Sequence, residues 1–328
     1  MEQDKVAAVN SDGSGSESEG SENGSERSDD FLSGISLEDT AIELTHSRLN
    51  TLGGLGLERF SKLEYLGCRR NQITDMKPLK ELRTLREVDL YDNRIKHIEG
   101  LEELGELESL DLSFNKIRKI EHLENIKLRE LFLVSNKIQN IENLAVLGNL
   151  RYLELGANRI RHICGLEELV QLEQLFLGKN KISKLENLQQ LQKLRVLSIQ
   201  SNRISKMEGL EELTNLEELY LSHNAISTIE GLENNSKLTI LDVTSNQLKE
   251  LSGIKHLDCL EDLWASGNKL DDFDNIEKEC AGIKSLQTVY FEFNPLQRSQ
   301  PANYRRKIML ALPQVTQIDA TLCRSTLS

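Results

Sequence analysis

One eleven-residue stretch returns along this chain at a nearly fixed step. "LREVDLYDNRI" (85–95), "LESLDLSFNKI" (107–117), "LRELFLVSNKI" (128–138), "LRYLELGANRI" (150–160), "LEQLFLGKNKI" (172–182), "LRVLSIQSNRI" (194–204) and "LEELYLSHNAI" (216–226) share the form LxxLxLxxNxI, with Val or Ile allowed for Leu. The asparagine recurs as Asn71, Asn93, Asn115, Asn136, Asn158, Asn180, Asn202, Asn224, Asn246, Asn268 and Asn294, in steps of 22 residues except one of 21 and a last one of 26. Such a register implies a stack of like units. A unit this short cannot bury its own apolar residues, so the core is completed only between neighbours.

Each part of the unit has a physical reading. In LxL the side chains alternate faces, so both leucines enter the core and the residue between them faces the other way. The asparagine turns the chain out of the strand, and its amide can satisfy backbone groups that the turn leaves without partners. Eleven of them form a structural ladder. In the return segment Ile95, Ile98, Leu101, Leu104 and Leu107 recur every three residues, a period that suits 3₁₀ or irregular turns better than an α-helix. The pattern is that of leucine-rich repeats. The expected fold is therefore α/β: a solenoid with a parallel concave sheet, short 3₁₀ or irregular convex segments, and a C-terminal capping helix in "PANYRRKIMLALP" (301–313). Tyr304, Ile308 and Leu312 share one face of that helix, and Val315 and Ile318 complete the seal. The expected organisation is an acidic disordered tail (1–36), the repeat array (37–293) and the C-terminal cap and tail (294–328).

Composition narrows the function. Residues 1–34 carry nine acids against Lys5 and Arg27, so −7 of the net charge of −13 lies there. Ser14 and Ser16 each precede a glutamate by three residues, a context for modification by acidophilic kinases. The acidity disfavours nucleic acid as a partner, and no apolar run is long enough for a membrane span. The five cysteines have no CxxC spacing, so neither a disulfide framework nor a zinc site is expected. The polar residues are spread evenly, and no histidine is paired with a plausible nucleophile at a special spacing. No catalytic residue, metal or cofactor is expected, and the chain does not read as an enzyme. A stripe of Lys and Arg directly after the asparagines (Arg94, Lys116, Lys137, Arg159, Lys181, Arg203, Lys269) reads as a solvated edge because acids follow it in the same repeats.

The informative positions lie between the core leucines: Gly67, Asp89, Asp111, Phe132, Glu154, Phe176, Ser198, Tyr220, Asp242, Trp264 and Tyr290. Five of the eleven are aromatic and four acidic, a mixture that suits neither a solvated face nor a core. Aromatic anchors with charges between them are the stuff of interface hot spots, and a column this long fits a folded protein better than a metabolite. Trp264, the sole tryptophan, faces the hollow with Asp262 beside it, while Leu263 and Ala265 face the core.

The uninterrupted 22-residue units, the acidic N-terminal tail and the closing "NPLQRSQPANYRRKIMLALPQVTQID" (294–319) resemble the leucine-rich-repeat regulatory subunit 7 family of type-1 serine/threonine protein phosphatase. The resemblance implies a non-catalytic, monomeric subunit of nucleus and cytoplasm. It would bind the protein phosphatase 1 catalytic subunit on its concave face, control its activity or maturation, and leave room for a third regulatory protein. Partner contacts are implied at Asp111, Phe132, Glu154, Phe176, Asp242, Asp262 and Trp264, to which the column adds Tyr220 and Tyr290. No basic-x-Val/Ile-x-Phe/Trp docking peptide is found, so binding would fall to the folded face. The competing reading is a structural protein–protein scaffold of the same repeat class, centrosomal, axonemal or ribonucleoprotein.

Overall fold

A computed structural model describes residues 7–8 and 31–323. The chain divides into two compact units, Met1–Leu150 and Arg151–Ser328. In the first, strands Ala41–Glu43, Tyr65–Gly67, Glu87–Asp89, Ser109–Asp111 and Glu130–Phe132 pair in parallel, each with the next. In the second, Tyr152–Glu154, Gln174–Phe176, Val196–Ser198, Glu218–Tyr220, Ile240–Asp242, Asp262–Trp264, Thr288–Tyr290 and Gln317–Ile318 do the same. Thr321–Leu322 closes the second sheet antiparallel to Gln317–Ile318. Among the described residues no helix is long and apolar enough to cross a membrane.

Three-residue strands are stable here because the middle residue of every rung, from Ile42 to Val289, is fully buried. The asparagines tie rung to rung. Asn246 donates from Nδ2 to the carbonyls of Leu221 and Val243, both at 3.0 Å, and its Oδ1 accepts from the backbone N–H of Ile226 at 3.0 Å. Asn93 and Asn115 repeat the scheme in the first unit. Most are buried, but Asn202 and Asn224 are only half-buried with the same bonds.

The return segments run largely as successive i→i+3 turns, for instance Leu104 N–H to the Leu101 carbonyl and Leu107 N–H to that of Leu104. Two 3₁₀ helices, Leu57–Arg59 and Lys77–Glu81, belong to the first unit. One return differs from the sequence expectation. An eight-residue α-helix, Phe273–Cys280, fills the 26-residue step before Asn294, N-capped by Asp272, which accepts from Asp274 N–H at 2.9 Å. The four residues beyond the usual 22 supply about one helical turn.

The residue before each ladder asparagine takes a left-handed φ, as do residues at a second column of turns: Gly100, His122, Asn143, Gly165, Asn187, Gly209, Gly231 and Gly253. Gly100 has no substitute there. A Cβ on it would lie 2.6 Å from the Met76 carbonyl oxygen and 2.7 Å from Lys77 Cα, both backbone atoms that cannot swing aside. Gly100→Ala is expected to lower unfolding free energy by more than the left-handed penalty alone, about 1–2 kcal/mol, as read from the urea midpoint. A change below that range would mean that the neighbouring turn yields.

Both ends are sealed. The capping helix is Tyr304–Ala311; Tyr304, Ile308, Leu312, Val315 and Ile318 are all buried, and a short helix, Pro295–Ser299, precedes it. Asp319, directly after the last strand, ties the cap to the preceding rung: its Oδ1 accepts from Phe291 N–H at 2.9 Å and Glu292 N–H at 3.1 Å, and its Oδ2 from the Tyr304 hydroxyl at 3.0 Å. Leu32, inside the stretch read as tail, is fully buried. A lone Phe-Leu pair beside an acidic run is too short to show any period, which is why the sequence places it outside the array.

Candidate functional site

The face of interest carries the third residue of each strand, and alternation puts the first residue on the same side. In the second unit the column is Glu154, Phe176, Ser198, Tyr220, Asp242, Trp264 and Tyr290; in the first it includes Asp89, Asp111 and Phe132. Asp89, Ser198 and Asp242 are buried, and the other named residues are half-buried. The aromatic side chains are neither core nor fully displayed.

Tyr220, Trp264 and Tyr290 form a row. Trp264 lies 6.1 Å from each neighbour, centroid to centroid, at 54° to Tyr220 and edge-on at 73° to Tyr290. Tyr220 and Trp264 are two rungs apart, roughly 9.5 Å along the sheet, so the rings lean together over the small Asp242 between them. The Tyr220 hydroxyl donates to Glu218 Oε2 at 2.8 Å; burial first, then Glu218, Asp242 and Asp262, push its pKa well above that of a free tyrosine. Asp262 shares the face, half-buried.

Two hollows flank this row. One, of about 450 Å³, opens where Ser198 leaves space between Phe176 and Tyr220. The other, also about 450 Å³, is lined by Trp264, Tyr290 and Phe293 together with Ser266 and Glu292. Trp264 Nε1 and Ser266 Oγ are buried without a hydrogen-bond partner among the described residues. Each such group costs about 1–3 kcal/mol, and a partner supplying an acceptor would recover that.

The acids of the column have a second duty that the sequence reading does not separate from display. Asp89, Asp111 and Asp242 each accept, through Oδ1, from the N–H two residues on, at 3.0, 2.8 and 2.9 Å. They hold the turn out of the strand. Asp111 is nonetheless an uncomfortable charge. Burial raises its pKa, the Ser113 N–H opposes the shift, and Asp89 adds to it. An acid whose folded pKa is raised contributes stability below its unfolded pKa and loses it as pH rises through the folded value. Asp111→Asn, which keeps the Oδ1 acceptor, should therefore raise the urea midpoint at pH 7, and the gain should vanish in acid below the ordinary aspartate range. A midpoint unmoved at pH 7 would contradict this.

Sequence reasoning misses several aromatic residues. Tyr152, at a first strand position, stacks on Phe176 with centroids 5.1 Å apart. Phe114 and Phe293, just before Asn115 and Asn294, hold left-handed φ of 57° and 62° and are 44% and 58% exposed. Bulky residues rarely adopt that backbone, which the ladder turn imposes at this position in every rung. Phe114 packs on Tyr91 at 4.8 Å, and Tyr91 in turn lies under the Arg69 guanidinium, which pairs with Asp89. The available signal was a phenylalanine immediately before the ladder asparagine. Ser14 and Ser16 lie outside the described residues.

Two family models match: one of leucine-rich repeats in two copies, at 83–125, 170–212 and 214–256, and one of a leucine-rich repeat at 126–182. Together they cover 83–256 except residue 213. The chain is a leucine-rich-repeat protein. Among solved structures, an internalin (InlF) of Listeria monocytogenes covers 88% of both chains with a TM-score of 0.68 and 24% identity, a likeness of fold alone. The leucine-rich-repeat protein LIC12759 of Leptospira interrogans covers 85% of this chain and 83% of its own at a TM-score of 0.66 and 25% identity. Among curated relatives, protein phosphatase 1 regulatory subunit SDS22 of Schizosaccharomyces pombe is 57% identical over 54 residues, 16% of either chain. Protein phosphatase 1 regulatory subunit 7 is 64% identical over 47 residues in Xenopus tropicalis and 61% over 46 in Homo sapiens. The matched stretch spans 12–16% of these relatives' length. Their names agree with the resemblance read from the repeats and the cap.

Proposed function

We propose that this chain is a non-catalytic regulatory subunit that binds the catalytic subunit of type-1 protein phosphatase through the column face and controls its activity or maturation. The names of its relatives support a phosphatase-regulatory role. The observation that carries the use of this face is the half-buried row Tyr220–Trp264–Tyr290, whose indole N–H has no partner among the described residues. Phe132 and Phe176 extend the aromatic column within their own units, with Asp111, Glu154, Asp242 and Asp262 as its charges. The protein would act as a monomer in nucleus and cytoplasm, with a third regulatory protein free to join.

The test is an affinity capture of the catalytic subunit by wild type and by Phe132→Ala/Trp264→Ala. Wild type should retain the phosphatase and the double variant should lose most of it. Equal recovery by both would remove the column from the interface, and recovery by neither would leave the scaffold reading in its place.

A further inference from the structure

On the edge that follows the ladder asparagines, three successive turns of the first unit enclose a third hollow, of about 390 Å³. Its wall carries Lys96, Lys116, Arg118, Lys119 and Lys137. Among the described residues none of these five side chains forms an ion pair, whereas cations elsewhere on the same unit, such as Lys77, Arg86 and Lys127, are paired with glutamates of a neighbouring turn. The one acid in the wall, Glu121, is already engaged by His97 Nδ1 at 3.2 Å. Lys137 is half-buried, so part of its hydration is lost. Five free cations gathered in a concavity, on a chain of net charge −13, repel one another and run against the charge of the whole.

We infer that this hollow is a binding site for a phosphorylated, acidic peptide segment of a partner protein, separate from the column face and independent of the phosphatase reading. The three turns place the cations along roughly 10 Å, about the reach of three extended residues, which suits a phosphate ester with acids on either side. A single inorganic phosphate would engage only part of such a row. A single-stranded nucleic acid site would interleave its cations with stacking rings, and the one ring lining this hollow, the His97 imidazole, is held by Glu121. Charge-assisted hydrogen bonds from Lys and Arg to phosphate oxygens would supply the affinity, and binding would weaken as salt rises.

The experiment is fluorescence anisotropy with the full chain and a labelled Ser-Glu peptide, with and without phosphoserine, against Lys116→Glu/Arg118→Glu/Lys137→Glu. A control of equal charge change, Lys237→Glu/Lys249→Glu/Lys278→Glu, lies in the other unit. The phosphopeptide should bind wild type and the control alike, bind at least tenfold more weakly to the pocket variant, and outcompete its unphosphorylated form. Equal loss in both variants, or no binding to wild type, would overturn the inference. So would tighter binding of a single-stranded oligonucleotide of equal charge, or full displacement by an equimolar amount of inorganic phosphate.

Discussion

Replacing Asn246 with alanine should lower the stability of its unit by about 3–5 kcal/mol, well beyond a typical surface change. The substitution leaves the carbonyls of Leu221 and Val243 and the N–H of Ile226 without their partner. Asn246 is 2% exposed and the strand cores on either side are closed, so water has little access to those groups. Leu221 and Ile226 belong to the preceding rung, so the loss falls on the joint between rungs. In a stack whose stability is a sum of units and joints, one weakened joint splits the unfolding transition. Urea unfolding followed by circular dichroism should show a lower first midpoint or a second phase. Asn202, half-buried, offers a comparison: Asn202→Ala should cost less, because water can replace part of its bonding.

Trp264→Ala should weaken binding of the phosphatase catalytic subunit by about 30- to 1,000-fold, the 2–4 kcal/mol of an aromatic hot spot. The ring joins Tyr220 to Tyr290, so truncation also frees both neighbours. Trp264→Phe separates two contributions: it keeps an aromatic ring but removes the N–H that has no partner among the described residues. Its affinity should fall between wild type and alanine. A phenylalanine variant equal to wild type would show that the indole N–H donates nothing to the partner.

Much of this was legible in the sequence because the period is strict. The spacing of the asparagines fixes which residues enter the core and which face away, and Leu263, Trp264 and Ala265 lie as their alternation requires. A period says which face a side chain leaves from, not how far it leans. That Tyr220 and Trp264 meet across Asp242, or that Tyr152 reaches Phe176, depends on the small size of the residue between and on rotamers. Nor does it separate two duties of one residue: Asp111 and Asp242 read as display, yet each also holds its own turn. Asp319 and the helix Phe273–Cys280 lie where the register breaks, so nothing upstream could be extrapolated to them. The left-handed Phe114 and Phe293 were visible as letters, but their strain is a backbone property that appears only once the turn is built.

The column's role can be tested through the tryptophan itself, since the chain has one. Protein grown with 5-fluorotryptophan carries a single fluorine resonance, at Trp264. On titration with unlabelled phosphatase catalytic subunit, that resonance should shift and broaden in step with complex formation measured by light scattering, saturating at one equivalent. A complex that forms while the resonance stays unmoved would place the partner elsewhere on the protein and contradict the account.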